Sequence, residues 1–166
     1  ITMGKPMGNG IPISGLAAKE DVLAAFSDKL PYFNTFGGNP VSIAAAQAVL
    51  KYIKEENLQE HCKKAGAALL KALKEVQERH PESVGDVRGA GLFLGFEFVK
   101  NDGNKTPDKD MALNVIEMLR DEHILTSVIG HYGNILKLRP PMVFSENDID
   151  WFATSLDKCI TKLENK

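Results

Sequence analysis

Apolar positions along the chain follow two periods, and the places where one gives way to the other mark the elements. A short β-branched run at about Ile11 to Ala17 reads as a strand, and KEDVLAAFSDKL then sets Val22, Leu23 and Phe26 for a short amphipathic helix. PYFNTFGGNP follows, dense in turn residues and aromatics. Asn39 stands as N-cap and Pro40 at the first helical position of VSIAAAQAVLKYIKEEN, where the missing proline N–H costs nothing. The small residues Ala44, Ala45, Ala46 and Ala48 predict a face packed closely against another element. From Leu58 to about Arg79, the stripe Leu58, Cys62, Ala65, Leu69, Ala72 and Val76 predicts a longer helix buried along one side. That stripe reads as core packing.

Period two takes over in VGDVRGAGLFLGFEFVK, where Leu92, Leu94, Phe96 and Phe98 alternate with Phe93, Gly95, Glu97 and Val99. Both sides are largely apolar, which predicts a buried strand that bends at Gly89 and Gly91 as it begins. A polar turn, NDGNKT, leads to a helix starting near Pro107, then ILTSVI reads as a short strand. After the GHYGN turn, ILKLRPP puts Leu136 and Leu138 on one side and Ile135, Lys137 and Arg139 on the other, and Pro140-Pro141 ends the strand. Ser145 and Asp148 form a loose capping box for a last amphipathic helix. From about residue 55 the order is helix, strand, helix, strand, strand, helix. That order predicts an α+β domain, helices on one side of a small, mainly antiparallel sheet.

Composition excludes several classes and adds little else. A net charge of −2 offers no electrostatic case for nucleic acid or an anionic membrane surface, and no apolar run approaches the roughly 18 residues of a membrane span. With no secretory signal pattern at the N-terminus, the expected location is intracellular, cytoplasmic or mitochondrial. Cys62 and Cys159 lack metal-ligand or redox spacing and read as reduced, buried thiols; no metal site is expected.

The chemistry concentrates at the start, in ITMGKPMGNGIPISG. A phosphate-cradling P-loop places its glycines before the lysine and a helix after it, whereas here Lys5 comes first and a strand-like run follows. The P-loop reading therefore fails. Lysine amines also do covalent work on carbonyl groups, pyridoxal phosphate being the main cofactor that uses them, and the small residues around Lys5 would let a ligand approach the backbone. Such a loop at the very start of the chain reads as a piece of something longer. Arg88 reads as a solvated charge entering a strand.

Four segments, MGKPMGNGIPISG, YFNTFGGNP, VRGAGLFLGFEF and LKLRPP, resemble in order and spacing the landmarks of the class III pyridoxal-phosphate aminotransferases. The resemblance extends over essentially the whole chain and is nearest to the branch with alanine–glyoxylate aminotransferase 2-like proteins and phospho-lyases. It implies an α/β protein of the PLP-dependent transferase fold type I, in part. Residues 1–54 would be the C-terminal end of the large cofactor-binding domain, and 55–166 the small C-terminal α+β domain.

By the same resemblance, Lys5 is the catalytic lysine that forms the aldimine with pyridoxal 5'-phosphate and then shuttles the proton. Thr35 binds the cofactor phosphate across a homodimer interface, and amine or amino acid and 2-oxo acid are the substrates. Lys137 stands where many members have an arginine that holds a substrate carboxylate, and lysine lacks the bidentate fork of arginine. Lys137 and Arg139 together would suit a substrate carrying phosphate, as in a phospho-lyase acting on a phosphorylated amine. The expectation is an enzymatic parent, with these 166 residues inactive in isolation; the rival is a non-enzymatic α+β interaction module.

Overall fold

The computed structural model describes residues 1–165, which divide into two compact units, Ile1–Asn57 and the residues from Leu58 onward. In the first, β1 (Thr2–Met3) pairs antiparallel with β2 (Gly15–Leu16), and the Ala17 N–H donates to the Ile1 carbonyl at 2.9 Å. Between them lies a single 3-10 turn over Lys5–Gly8. The strand expected from Ile11 to Ala17 is thus only two residues long, because Pro12 has no N–H to give a ladder and the partner strand supplies just two positions.

Two helices complete this unit, α1 (Glu20–Ser27) and α2 (Pro40–Glu55). Asn39 caps α2 as its sequence implies, its side chain accepting from the Ser42 N–H at 3.0 Å with Pro40 next in line. The alanine-rich face of α2 is not buried within the unit, since no residue of either helix is. Small side chains permit close packing but supply too little apolar area to compel it.

The second unit begins with α3 (Leu58–Arg79) and continues β3 (Val84–Ala90), β4 (Phe93–Phe98), α4 (Lys109–Asp121), β5 (Ser127–Ile129), β6 (Ile135–Leu138) and α5 (Glu146–Glu164). All strand pairs are antiparallel, in the order β3-β4-β6-β5. Helices α3 and α4 pack on the sheet and α5 packs on both helices. Core side chains come from Leu69, Leu73 and Val76 of α3, Phe96 and Phe98 of β4, Leu136 of β6 and Leu156 of α5. Ser145 and Asp148 form the capping box, and the Ser145 hydroxyl and N–H hold the Asp148 carboxyl below its usual range.

The single strand expected within VGDVRGAGLFLGFEFVK is instead a hairpin. Gly91, at φ +53°, forms with Leu92 the turn between the paired Ala90 and Phe93 and so reverses the chain, and the unit has one strand more than the sequence pattern predicts. Nor is β4 apolar on both sides: Leu94, Phe96 and Phe98 are buried, while Phe93 is 56% exposed. A bulge between Val84 and Asp86 inserts Gly85 into β3. Val84 and Val87, three residues apart, would face opposite ways in a regular strand; the extra residue turns both into the core. Helix α4 starts at Lys109 with Asp108 as its cap, two residues beyond the expected Pro107.

Gly66 marks where α3 crosses the hairpin turn, since a Cβ there would run into the backbone of Gly91. Backbone cannot rotate aside as a side chain can. Gly66→Ala should therefore lower the stability of this unit by about 1–3 kcal/mol, read as a lower urea midpoint, despite the better helix propensity of alanine. An unchanged or higher midpoint would mean that helix and hairpin separate without cost.

Candidate active site

The four residues singled out from the sequence fall two in each unit. Lys5 opens the 3-10 turn with φ +49°, directly before Pro6, where a residue is ordinarily confined to extended backbone. Left-handed backbone costs a side-chain-bearing residue about 1–2 kcal/mol, but Lys105 and His123 adopt it too. Like most lysines of the chain, Lys5 is unengaged. Its amine is exposed and makes no hydrogen bond or ion pair among the described residues. The turn beneath it is fixed by Gly8, which is buried and whose Cβ would stand 2.8 Å from Ile13 Cγ2. An exposed amine is thus carried on a tightly packed turn.

Thr35 lies in the loop before α2, exposed, and neither its hydroxyl nor its backbone N–H is bonded among the described residues. No hydrogen bond links it to Lys5. The loop is organised by its neighbours. Asn34 Oδ1 accepts from the N–H groups of Phe36 and Gly37 at 3.2 and 3.0 Å, and Asn39 Nδ2 donates to the Phe36 carbonyl at 3.0 Å. Asn34 was not singled out from the sequence. The signal was available, since asparagine three residues before glycine in a turn-rich stretch favours such side-chain caps.

In the second unit, Lys137 and Arg139 share the lining of a 470 Å³ recess with Ser127, Leu138, Pro140 and Phe144. They differ in their engagements. Arg139 lies just past the end of β6, its guanidinium carbon 4.2 Å from the centre of the Phe93 ring. Lys137 lies within β6, half-buried between Gly95 of β4 and Ser127 of β5, and its amine has no partner among the described residues. Both lateral neighbours are small. Arg88 is more than a solvated charge: its Nη1 donates to Asp86 and Glu97, each at 2.6 Å. Glu97 first, then Asp86, raise the guanidinium above its ordinary range. That arginine is neutralised, which leaves Lys137 as a free cation of this face.

Cys159 is buried, and burial pushes its thiol up, away from the reactive thiolate form. No cluster of residues suited to a metal occurs among the described residues, and none of their helices is long and apolar enough to cross a membrane.

Residues 1–160 match the sequence model of the aminotransferase class-III family. The chain belongs to the class III aminotransferases. Members of this family depend on pyridoxal phosphate, and it includes phospho-lyases as well as transaminases. Over 162 residues the chain is 44% identical to ethanolamine-phosphate phospho-lyase homolog 1 of Caenorhabditis elegans, covering 97% of this chain and 34% of that protein. It is 39% identical over 163 residues to an alanine–glyoxylate aminotransferase 2-like protein of Drosophila melanogaster, covering 97% and 33%. A phospholyase from Arthrobacter, solved in complex with phosphoethanolamine, superposes with a TM-score of 0.92 at 39% identity, over 96% of this chain and 38% of that one. This class III chain therefore spans about a third of the length of the curated relatives it matches.

Proposed function

We propose that the full-length protein is a pyridoxal-phosphate enzyme acting on a primary amine, with Lys5 as the covalent anchor of the cofactor and Thr35 as a ligand of its phosphate. Residues 1–54 then end the large domain and 55–166 form the small one. The single observation that carries this reading is the free Lys5 amine on its tightly packed turn, within a chain of this family. The donor set fits the group: an unpaired amine for the aldehyde, and an unbonded hydroxyl and N–H at Thr35 for a dianion.

When bound, pyridoxal phosphate supplies an electron sink for charge developing next to the substrate nitrogen. The chain's own part is to hold and to move a proton. Lys5 Nζ, freed by an incoming amine, is a compact base on a flexible stem and carries the proton at the substrate carbon. Thr35 fixes the phosphate end and so orients the whole. By resemblance to the family, Thr35 serves the site of a second copy, which makes the working enzyme a homodimer.

Two outcomes share these steps, amino transfer to a 2-oxo acid and elimination of phosphate from a phosphorylated amine. Lys137 favours the second. An unpaired point charge suits a phosphate better than a planar carboxylate, and two of the relatives above carry phospho-lyase names. The test is to incubate the full-length protein with phosphoethanolamine and follow inorganic phosphate, and in parallel with an amino donor and a 2-oxo acid. Lys137→Ala should lower kcat/KM for phosphate release about tenfold to a hundredfold, the loss of one charge-assisted hydrogen bond. Amino transfer without phosphate release would assign the first outcome. Borohydride trapping that labels lysines other than Lys5 would refute the cofactor assignment itself.

A further inference from the structure

We propose that Asn34 is a positioning residue that presents the free donors of Thr35 to the phosphate of the bound cofactor, an inference that rests on the reading of Thr35 given above. The argument starts from an imbalance in the loop 31–38. Three consecutive backbone N–H groups, those of Thr35, Phe36 and Gly37, could each serve an anion, but the last two are already taken by Asn34 Oδ1. The amide is pinned from its other end as well, because Asn34 Nδ2 donates to the Tyr32 hydroxyl at 3.2 Å.

Gly37 makes room for this arrangement. A Cβ there would lie 2.9 Å from both Cγ and Nδ2 of Asn34, so any other residue would push the amide out of its seat. On the far side, Asn39 holds the Phe36 carbonyl and the Ser42 hydroxyl with Nδ2. The two asparagines therefore hold the backbone of Phe36 and Gly37, just after Thr35, while Thr35 itself is left unbonded among the described residues.

The placement of Thr35 follows from the same bonds. Asn34, Phe36, Gly37 and Asn39 line a recess of 410 Å³ together with Ser14 and Ile13, and Thr35 is absent from that lining. Asn34, Phe36, Gly37 and Asn39 bond to one another within the loop, whereas Thr35 makes no bond among the described residues. A loop lacking helix or strand would otherwise have to be ordered at the moment of binding, at a cost in affinity; the side-chain caps order it beforehand. What Asn34 contributes is thus specific to the phosphate end of the ligand.

The test compares pyridoxal phosphate with pyridoxal, which lacks the phosphate, by absorbance titration of the apo form of the full-length protein and its variants. Asn34→Ala and Gly37→Ala should each raise the Kd for pyridoxal phosphate about tenfold while moving that for pyridoxal less than about twofold. Asn34→Ser, whose hydroxyl can still accept from the Phe36 N–H, should recover part of the difference. Thr35→Ala calibrates the scale. If it erases the preference for the phosphorylated ligand while the Asn34 and Gly37 variants keep it, the positioning role is overturned and the reading of Thr35 stands. If Thr35→Ala itself leaves the preference unchanged, the reading of Thr35 fails. Equal weakening of both ligands by the Asn34 variants would reduce Asn34 to a general structural part and also overturn the proposal.

Discussion

Lys5→Ala in the full-length protein should lower turnover at least about 10⁴-fold, because it removes the covalent anchor and the proton carrier together. The same change should leave the stability of the cofactor-free form nearly untouched, since only bound cofactor adds stability through Lys5. The Lys5 amine is exposed and bonded to nothing among the described residues, and alanine meets the same left-handed backbone that lysine does. A catalytic and a structural lysine are separated by that pair of outcomes: a large fall in rate at a constant urea midpoint of the cofactor-free form. Lys5→Arg sharpens the test. Arginine keeps the positive charge but stays protonated and offers no nucleophilic amine, so it should be as inactive as alanine. Turnover near wild type in the arginine variant would show that Lys5 acts as a charge alone, and the covalent assignment would fall.

Phe96→Ala should destabilise the second unit by about 3–5 kcal/mol, a large part of the roughly 5–15 kcal/mol available to a domain of ordinary stability. Phe96 is fully buried on β4, between β3 and β6, with its ring centre 5.3 Å from that of Phe98 in an edge-to-face pair. Its removal leaves a cavity under the sheet that rigid strands on either side cannot close. Phe93, on the other side of the same strand and 56% exposed, is the control. Phe93→Ala should cost only about 0.5–1 kcal/mol, most of it the lost contact with the Arg139 guanidinium. Equal losses at both positions would mean that the two faces of β4 are buried alike in the full-length protein.

The contrast between those phenylalanines shows where sequence reasoning stops. Alternation located β4 and its partner β6, because period two is imposed by the chain itself. Which alternate set faces the helices depends on what packs there, and that is a property of the assembled layers. The glycines of the hairpin show the same limit. Gly89 and Gly91 advertised unusual backbone, but a bend and a reversal need the same freedom, and only pairing of β3 with β4 decides between them. The bulge at Gly85 carries no sequence signal at all beyond the residue that tolerates it.

The candidate site divides in the same way. Lys5, Thr35, Lys137 and Arg139 were all legible as residue types in motifs, and the capping residues of α2 and α5 were legible too, because a cap involves residues three apart in sequence. The unequal states of Lys137 and Arg139 were not legible. They follow from Phe93, more than forty residues earlier in sequence, which meets Arg139 across the sheet and leaves Lys137 free. The sequence by itself therefore determined the family, the order of nearly all elements and the local caps, each set by neighbours along the chain. Tertiary structure alone decided the hairpin, the buried face of β4 and which of two cations stays unpaired, because each depends on contacts between segments that the chain order does not relate.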